Sequence, residues 1–113
     1  MTGELFRSID EKDLQGFVSL LAQDCVFRFG NQPAVTGVNA IQDYVAGFFE
    51  SIASLSHEII ASWDIPGGVV CHGHVSYTRH DGSVLTVPFA NILKLSPAGI
   101  SDYRIFADTS QLY

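Results

Sequence analysis

Four long β-branched and aromatic runs fill the second half of this chain, and they constrain its fold more than any other feature. They are His57 to Ile65, Val69 to Thr78, Val84 to Leu95 and Ile100 to Ala107. Pro66-Gly67-Gly68, Asp81-Gly82 and Pro97-Ala98-Gly99 separate them. Runs rich in β formers and bounded by turn residues read as strands. Asp81-Gly82 predicts a hairpin, because glycine accepts the positive φ that a tight turn requires. Strands joined by connections this short pair antiparallel, so the second half is a meander.

The first half follows the other period. Glu4 to Asp10 is a first helical piece carrying Leu5, Phe6 and Ile9. Leu14, Phe17, Val18 and Leu21 recur at helical spacing, with Asp13 placed to cap the helix they imply. Cys25 to Phe29 (CVFRF) alternates and stops at Gly30-Asn31-Gln32-Pro33, which reads as a short strand entering a loop. After Gly37, the residues Ile41, Val45, Phe48, Ile52 and Leu55 form the stripe of an amphipathic helix. Helices gathered first and a meander afterwards describe an α+β domain with its helices on one sheet face. At 113 residues, with no repeat or linker, the chain is expected to be a single domain, 1–113.

Charge removes some functions. The net charge is -6, and the six basic residues (Arg7, Lys12, Arg28, Arg79, Lys94 and Arg104) are scattered. Neither a nucleic acid nor an anionic membrane surface is therefore an expected partner. No apolar window reaches membrane-spanning length. The opening MTGELFRSID lacks the basic and apolar regions of a signal peptide. Cys25 and Cys71 sit inside apolar runs, which suits reduced thiols and a cytoplasmic protein.

Several stretches together carry a family likeness. They are D-L-x-x-F-x-x-L-L-A-x-D-C-V-F at 13 to 27, the helix after Gly37, the hairpin at Asp81-Gly82, and G-I-S-D-Y-R-I-F-A-D at 99 to 108. This ordering resembles the SnoaL-like polyketide cyclases of the ketosteroid isomerase and nuclear transport factor 2-like superfamily. The resemblance implies a cone: a curved, antiparallel or mixed sheet wrapped around the N-terminal helices, with an apolar pocket inside. It also implies a homodimer across the sheet's outer face, and no cofactor. Alternation along each strand then assigns the pocket side. Placed on the family pattern, Phe27, Phe29, Val87, Phe89, Tyr103 and Ile105 are the expected ligand-binding residues. His72, His74 and Ser76 are expected inward on the third strand, and Asn91 on the fourth. Ala107 follows Ile105 on the last.

The chemistry expected of this pocket rests on His72, His74 and Asn91. The family's isomerases use a carboxylate base, a tyrosine and a protonated acid, and the resemblance puts Phe29, Leu5 and Asn91 at those places. Its epoxide hydrolases carry an Arg-x-Asp pair where this chain has His72-Gly73-His74, and a second Asp at Ile105. Asp108, the nearest match to the cyclases' acid–base Asp, falls on the opposite side from Tyr103 and Ile105. A bulge would be needed to turn it inward. With the carboxylates gone, two neutral imidazoles are the proton carriers that remain. A His-x-His pair also chelates metals, but a third ligand is wanting. No Glu follows Glu58, and His80 lies in the hairpin turn, so no metal is expected. The reading is a cyclase-, isomerase- or hydrolase-type acid–base enzyme for a small, apolar, carbonyl-bearing molecule. The alternative is a binding or dimerisation domain that keeps the cone without the catalysis.

Overall fold

The computed structural model describes residues 2–113. Two short helices, α1 (Thr2–Asp10) and α2 (Leu14–Val18), open it. The Asp13 side chain caps α2 by accepting the Gly16 N–H at 3.0 Å. Leu21 does not continue that helix. It begins β1 (Leu21–Phe29), where it pairs with Ile100 of the last strand, so the strand starts four residues before the CVFRF alternation. A two-residue strand, β2 (Val35–Thr36), leads into α3 (Val38–Ser51). The expected helical stripe runs on to Leu55, but the backbone turns extended at Ile52. Leu55 belongs instead to β3 (Ser54–Ile65), opposite Tyr77 of β4 (Gly68–Thr78). Then come β5 (Val84–Ser96) and β6 (Gly99–Ala107).

The six strands form one sheet in the order β2-β1-β6-β5-β4-β3. All neighbours are antiparallel except β1 and β6, which run parallel, so the sheet is mixed. Its concave side holds the helices. Leu5, Phe17 and Ile41 from the helices pack with Cys25, Leu93 and Tyr103 of the sheet. A second cluster joins Phe6 of α1 to Val75, Tyr77 and Phe89, and takes Leu112 from the final segment. Burying such side chains fully contributes about 1.5–3 kcal/mol each.

One irregularity bends the sheet where it matters for the site. Ile59 pairs with Gly73 and Ala61 with His72, leaving Ile60 as an extra residue on β3. Such a bulge re-phases the strand. Leu55, His57 and Ile59 share the concave face with Tyr77, Val75 and Gly73, whereas Trp63 and Ile65 share the outer face with Val70 and Gly68. Gly73 permits this approach: a Cβ there would stand 1.8 Å from the Glu58 carbonyl oxygen.

The second strand of the meander corrects the expected parity. On β4 the buried set is Val69, Cys71, Gly73, Val75 and Tyr77, so His72, His74 and Ser76 face outward. The reason is hydrophobic. A strand can turn only one of its two interleaved sets to the core, and the odd-numbered set is the apolar one.

Candidate functional site

Between the helices and the concave sheet face lies a cavity of about 40 Å³, room for about three water molecules. Phe27, Phe29, Phe89, Asn91, Tyr103 and Ile105, all expected at a pocket, line it. The parallel pairing of β1 with β6 sets Phe27 beside Tyr103 and Phe29 beside Ile105. Phe27 and Tyr103 meet at 5.2 Å between ring centres, a tilted contact typical of packed aromatics. Val87 is on the same side of β5 but packs into the Phe6 cluster, away from the lining.

His72 and His74 are not among the residues brought together. The His72 ring stacks on Trp63 at 5.7 Å, 16° from parallel, on the outer face. His74 is exposed there, its Nδ1 4.0 Å from Glu58 Oε1. Asp108 also stays outside: it is exposed and accepts the Ser110 N–H at 2.9 Å. That contact holds its carboxyl below the usual carboxylate range.

The histidine that does reach the cavity is His57, on β3. Its side chain is 10% exposed, and Nδ1 lies 2.6 Å from Asp10 Oδ1 at the end of α1. Asp10 Oδ2 accepts the His57 backbone N–H at 3.0 Å. The carboxylate thus holds both the main chain and the ring of one residue. With Nδ1–H donated to Asp10, Nε2 is the basic nitrogen. The ring is held between Phe6, at 4.7 Å, and the edge of Phe89, at 5.1 Å. Burial lowers its pKa from 6.5, and the hydrogen bond and charge of Asp10 offset that only in part. His57 is therefore neutral at pH 7, as a general base must be.

Sequence reasoning passed over this pair because 47 residues separate its members, and only the packing of α1 on β3 unites them. A signal did exist. Once Cys71, Val75 and Tyr77 are taken as the buried set of β4, pairing carries Leu55 and His57 inward with them.

Three phenols add hydrogen-bond capacity. Tyr44 and Tyr77 line the cavity with Tyr103. Burial pushes Tyr77 up to about 12 and raises Tyr103 further, so both keep their protons as donors. Asn91 is 2% exposed, and its Oδ1 meets no donor among the described residues. Cys25 and Cys71 are free and buried, and burial raises both thiols, Cys25 to about 11. Neither is an activated nucleophile.

Phe29, Tyr44 and Phe48 border both the cavity and an outer hollow roofed by Thr109, Leu112 and Tyr113. Arg79 straps that roof down, donating from Nε to the Leu112 carbonyl at 3.0 Å and from Nη2 to that of Gln111 at 2.7 Å. The Tyr113 hydroxyl is 2.5 Å from Ser51 Oγ.

Comparison with known proteins places this geometry. The model of the SnoaL-like domain family matches residues 3–102. No match was found among curated proteins. An NTF2-like protein of unknown function from Burkholderia pseudomallei superposes with a TM-score of 0.88 at 15% identity, over 98% of this chain and 90% of that one. A putative SnoaL-like polyketide cyclase from Shewanella denitrificans gives 0.85 at 16%, over 98% and 90%. A protein with a ketosteroid isomerase-like fold from Catenulispora acidiphila, in complex with trimethylamine, gives 0.84 at 14%, over 93% and 82%. At such identities the structural likeness shows a shared fold. It does not carry an activity across.

Proposed function

The chain belongs to the SnoaL-like domain family, and from that premise we propose that it is a small-molecule enzyme acting by acid–base chemistry. The observation that carries this is the Asp10–His57 pair opening onto an aromatic cavity. His57 Nε2 takes a proton from a carbon next to a carbonyl, while Asp10 steadies the imidazolium that forms. The phenols of Tyr77 and Tyr103 donate to the oxygen on which negative charge develops, in a site walled mainly by apolar side chains. Proton transfer thus falls to His57, where His72 and His74 had been expected; Asn91 stays in the site. A relative's complex with trimethylamine supports small-molecule occupancy of this fold.

Proton exchange tests this without a known substrate. Acetophenone in D2O should lose its methyl protons to deuterium faster with the protein, followed by proton NMR. His57→Gln should remove about 10²–10⁴ of that acceleration, and Asp10→Asn a smaller part. Equal rates for wild type and His57→Gln would overturn the assignment. The small cavity favours one other reading, a binding domain without turnover; acetophenone that binds but never exchanges would select it.

Two further expectations belong with this reading. The exposed apolar outer face suits a homodimer, and two buried reduced thiols suit the cytoplasm.

A further inference from the structure

Among the described residues, Lys12 is the one non-glycine at positive φ, at 54°. It follows α1 in the position of a helix stop: its N–H donates to the Ile9 carbonyl at 2.9 Å, and the Asp13 N–H to that of Ser8 at 2.8 Å. Glycine is the usual residue at such a left-handed stop, because a Cβ disfavours the conformation. A non-glycine persists there only where its surroundings hold it, and the strain directs attention to what its side chain does. Lys12 Nζ donates to the Ile52 carbonyl at 2.7 Å and to the Ala53 carbonyl at 3.0 Å. Both carbonyls lie past Ser51, the last residue of α3, on the link into β3. That link is fixed to the sheet, since the Ala53 N–H donates to the Thr78 carbonyl at 2.9 Å. Asp10, just before the stop, closes on His57, just beyond the link. The end of α1 is thus tied to the β3 region at two points, one on each side of the stop.

We propose that Lys12 is a positioning residue for the Asp10–His57 pair: by fixing the end of α1 against the entry to β3, it holds the Asp10 carboxylate where both oxygens meet His57. The catalytic consequence rests on the acid–base reading of that pair, whereas the placement of Asp10 can be read without turnover. One side-chain contact leaves a helix end free to pivot about it, and a second removes that freedom. The precision matters, because displacing a catalytic group by about 1 Å can cost about a hundredfold in rate. A role confined to stopping α1 would make glycine the better residue at this position, since glycine keeps the turn and relieves the backbone. The two roles therefore diverge on one substitution.

Lys12→Gly is that substitution. It should slow acetophenone exchange about ten- to a hundredfold. It should also speed hydrogen exchange at the His57 amide, whose bond Asp10 accepts, at least about tenfold relative to amides in the middle of β5, which report global opening. Lys12→Arg, whose guanidinium can donate to the same two carbonyls, should restore most of both. Wild-type behaviour of Lys12→Gly on both counts would reduce Lys12 to a helix stop and overturn the proposal. Slower acetophenone exchange with an unchanged His57 amide would overturn it too, because Asp10 would not have moved. If the wild type itself gives acetophenone no acceleration, the acid–base reading falls, and the His57 amide still decides whether Lys12 places Asp10. Should Lys12→Gly not fold, the wild type decides through its two lysines, labelled with ¹⁵N. The Lys12 Nζ protons should exchange with water more slowly than those of the exposed Lys94, and equal rates would overturn the proposal.

Discussion

Both oxygens of Asp10 are spent on His57, one on its backbone N–H and one on Nδ1. That fixes the ring before any ligand arrives, and leaves burial to set its basicity. Because burial lowers the pKa from 6.5, activity that needs neutral His57 should persist at a lower pH than an exposed imidazole allows. The rate of acetophenone exchange should therefore rise with pH to a plateau whose midpoint lies below 6.5. Stability follows the same group. The unfolded chain takes up this proton at about 6.5, the folded chain only at lower pH. Stability is then complete above about pH 6.5 and declines as pH falls from there toward the folded-state pKa. Urea denaturation from pH 8 to 5 should show that decline in the wild type and a smaller one in His57→Gln. At this scale the sequence was legible in part. Phe27, Phe29, Phe89, Asn91, Tyr103 and Ile105 fall where alternation puts them, because each lies on a strand with one clear apolar set. His72 and His74 drew attention as a motif, yet Cys71, Val75 and Tyr77 on either side of them are what the core required.

The bulge at Ile60 is the element that makes the site possible, since it lets His57 face the cavity while Trp63 faces out. Its geometry depends on Gly73, which has no room for a side chain: an added Cβ meets the Glu58 carbonyl at 1.8 Å. Backbone cannot yield as a flexible side chain can. Gly73→Ala should cost about 2–4 kcal/mol in a denaturant melt, and a loss under about 0.5 kcal/mol would show that β3 slides freely there. The strap over the outer hollow is a weaker element, held by Arg79 through carbonyls of Gln111 and Leu112. Arg79→Gln should speed hydrogen exchange at the Leu112 amide, which bonds Thr109 at 3.0 Å, with a global cost of only about 1 kcal/mol. Unchanged exchange would mean that the burial of Leu112 alone holds the segment. Neither the bulge nor the strap shows in the sequence. A bulge re-phases the strand, but Ile59 and Ile60 at this one are both apolar, so no break in the pattern marks it. Arg79, next to a hairpin turn, reads as an ordinary surface charge until the fold brings residues 111 and 112 beneath it.

At the scale of the molecule, the α+β order and the meander were legible because each strand carries its own alternation and turn, whereas the parallel pairing of β1 with β6 is a long-range contact that no local pattern records. Among the described residues, that pairing completes a six-stranded sheet with helices on one side and none on the other. The bare side carries Trp63 at 54% exposed, Ile65 at 42% and Phe106 at 51%, with Val70, Ala90 and Ile92 on the same face. Asp102 on this face lies 3.6 Å from Arg28 and 3.3 Å from Arg104. A broad apolar face suits a second copy of itself, related by a two-fold axis, better than it suits water. A stable association of this kind buries about 1,200–2,000 Å² in total, and the aromatic residues near its centre contribute most. The protein should elute as a dimer with a mass near 25 kDa, twice the 12.3 kDa chain, when light scattering is read across the peak. Trp63→Glu places a charge at the centre of both halves at once and should shift the species to monomer at micromolar concentration. Because Trp63 points away from the cavity, that monomer should still speed acetophenone exchange. A wild type that stays monomeric at a hundred micromolar would refute the assembly, and a Trp63→Glu protein that remains dimeric would move the interface off this face.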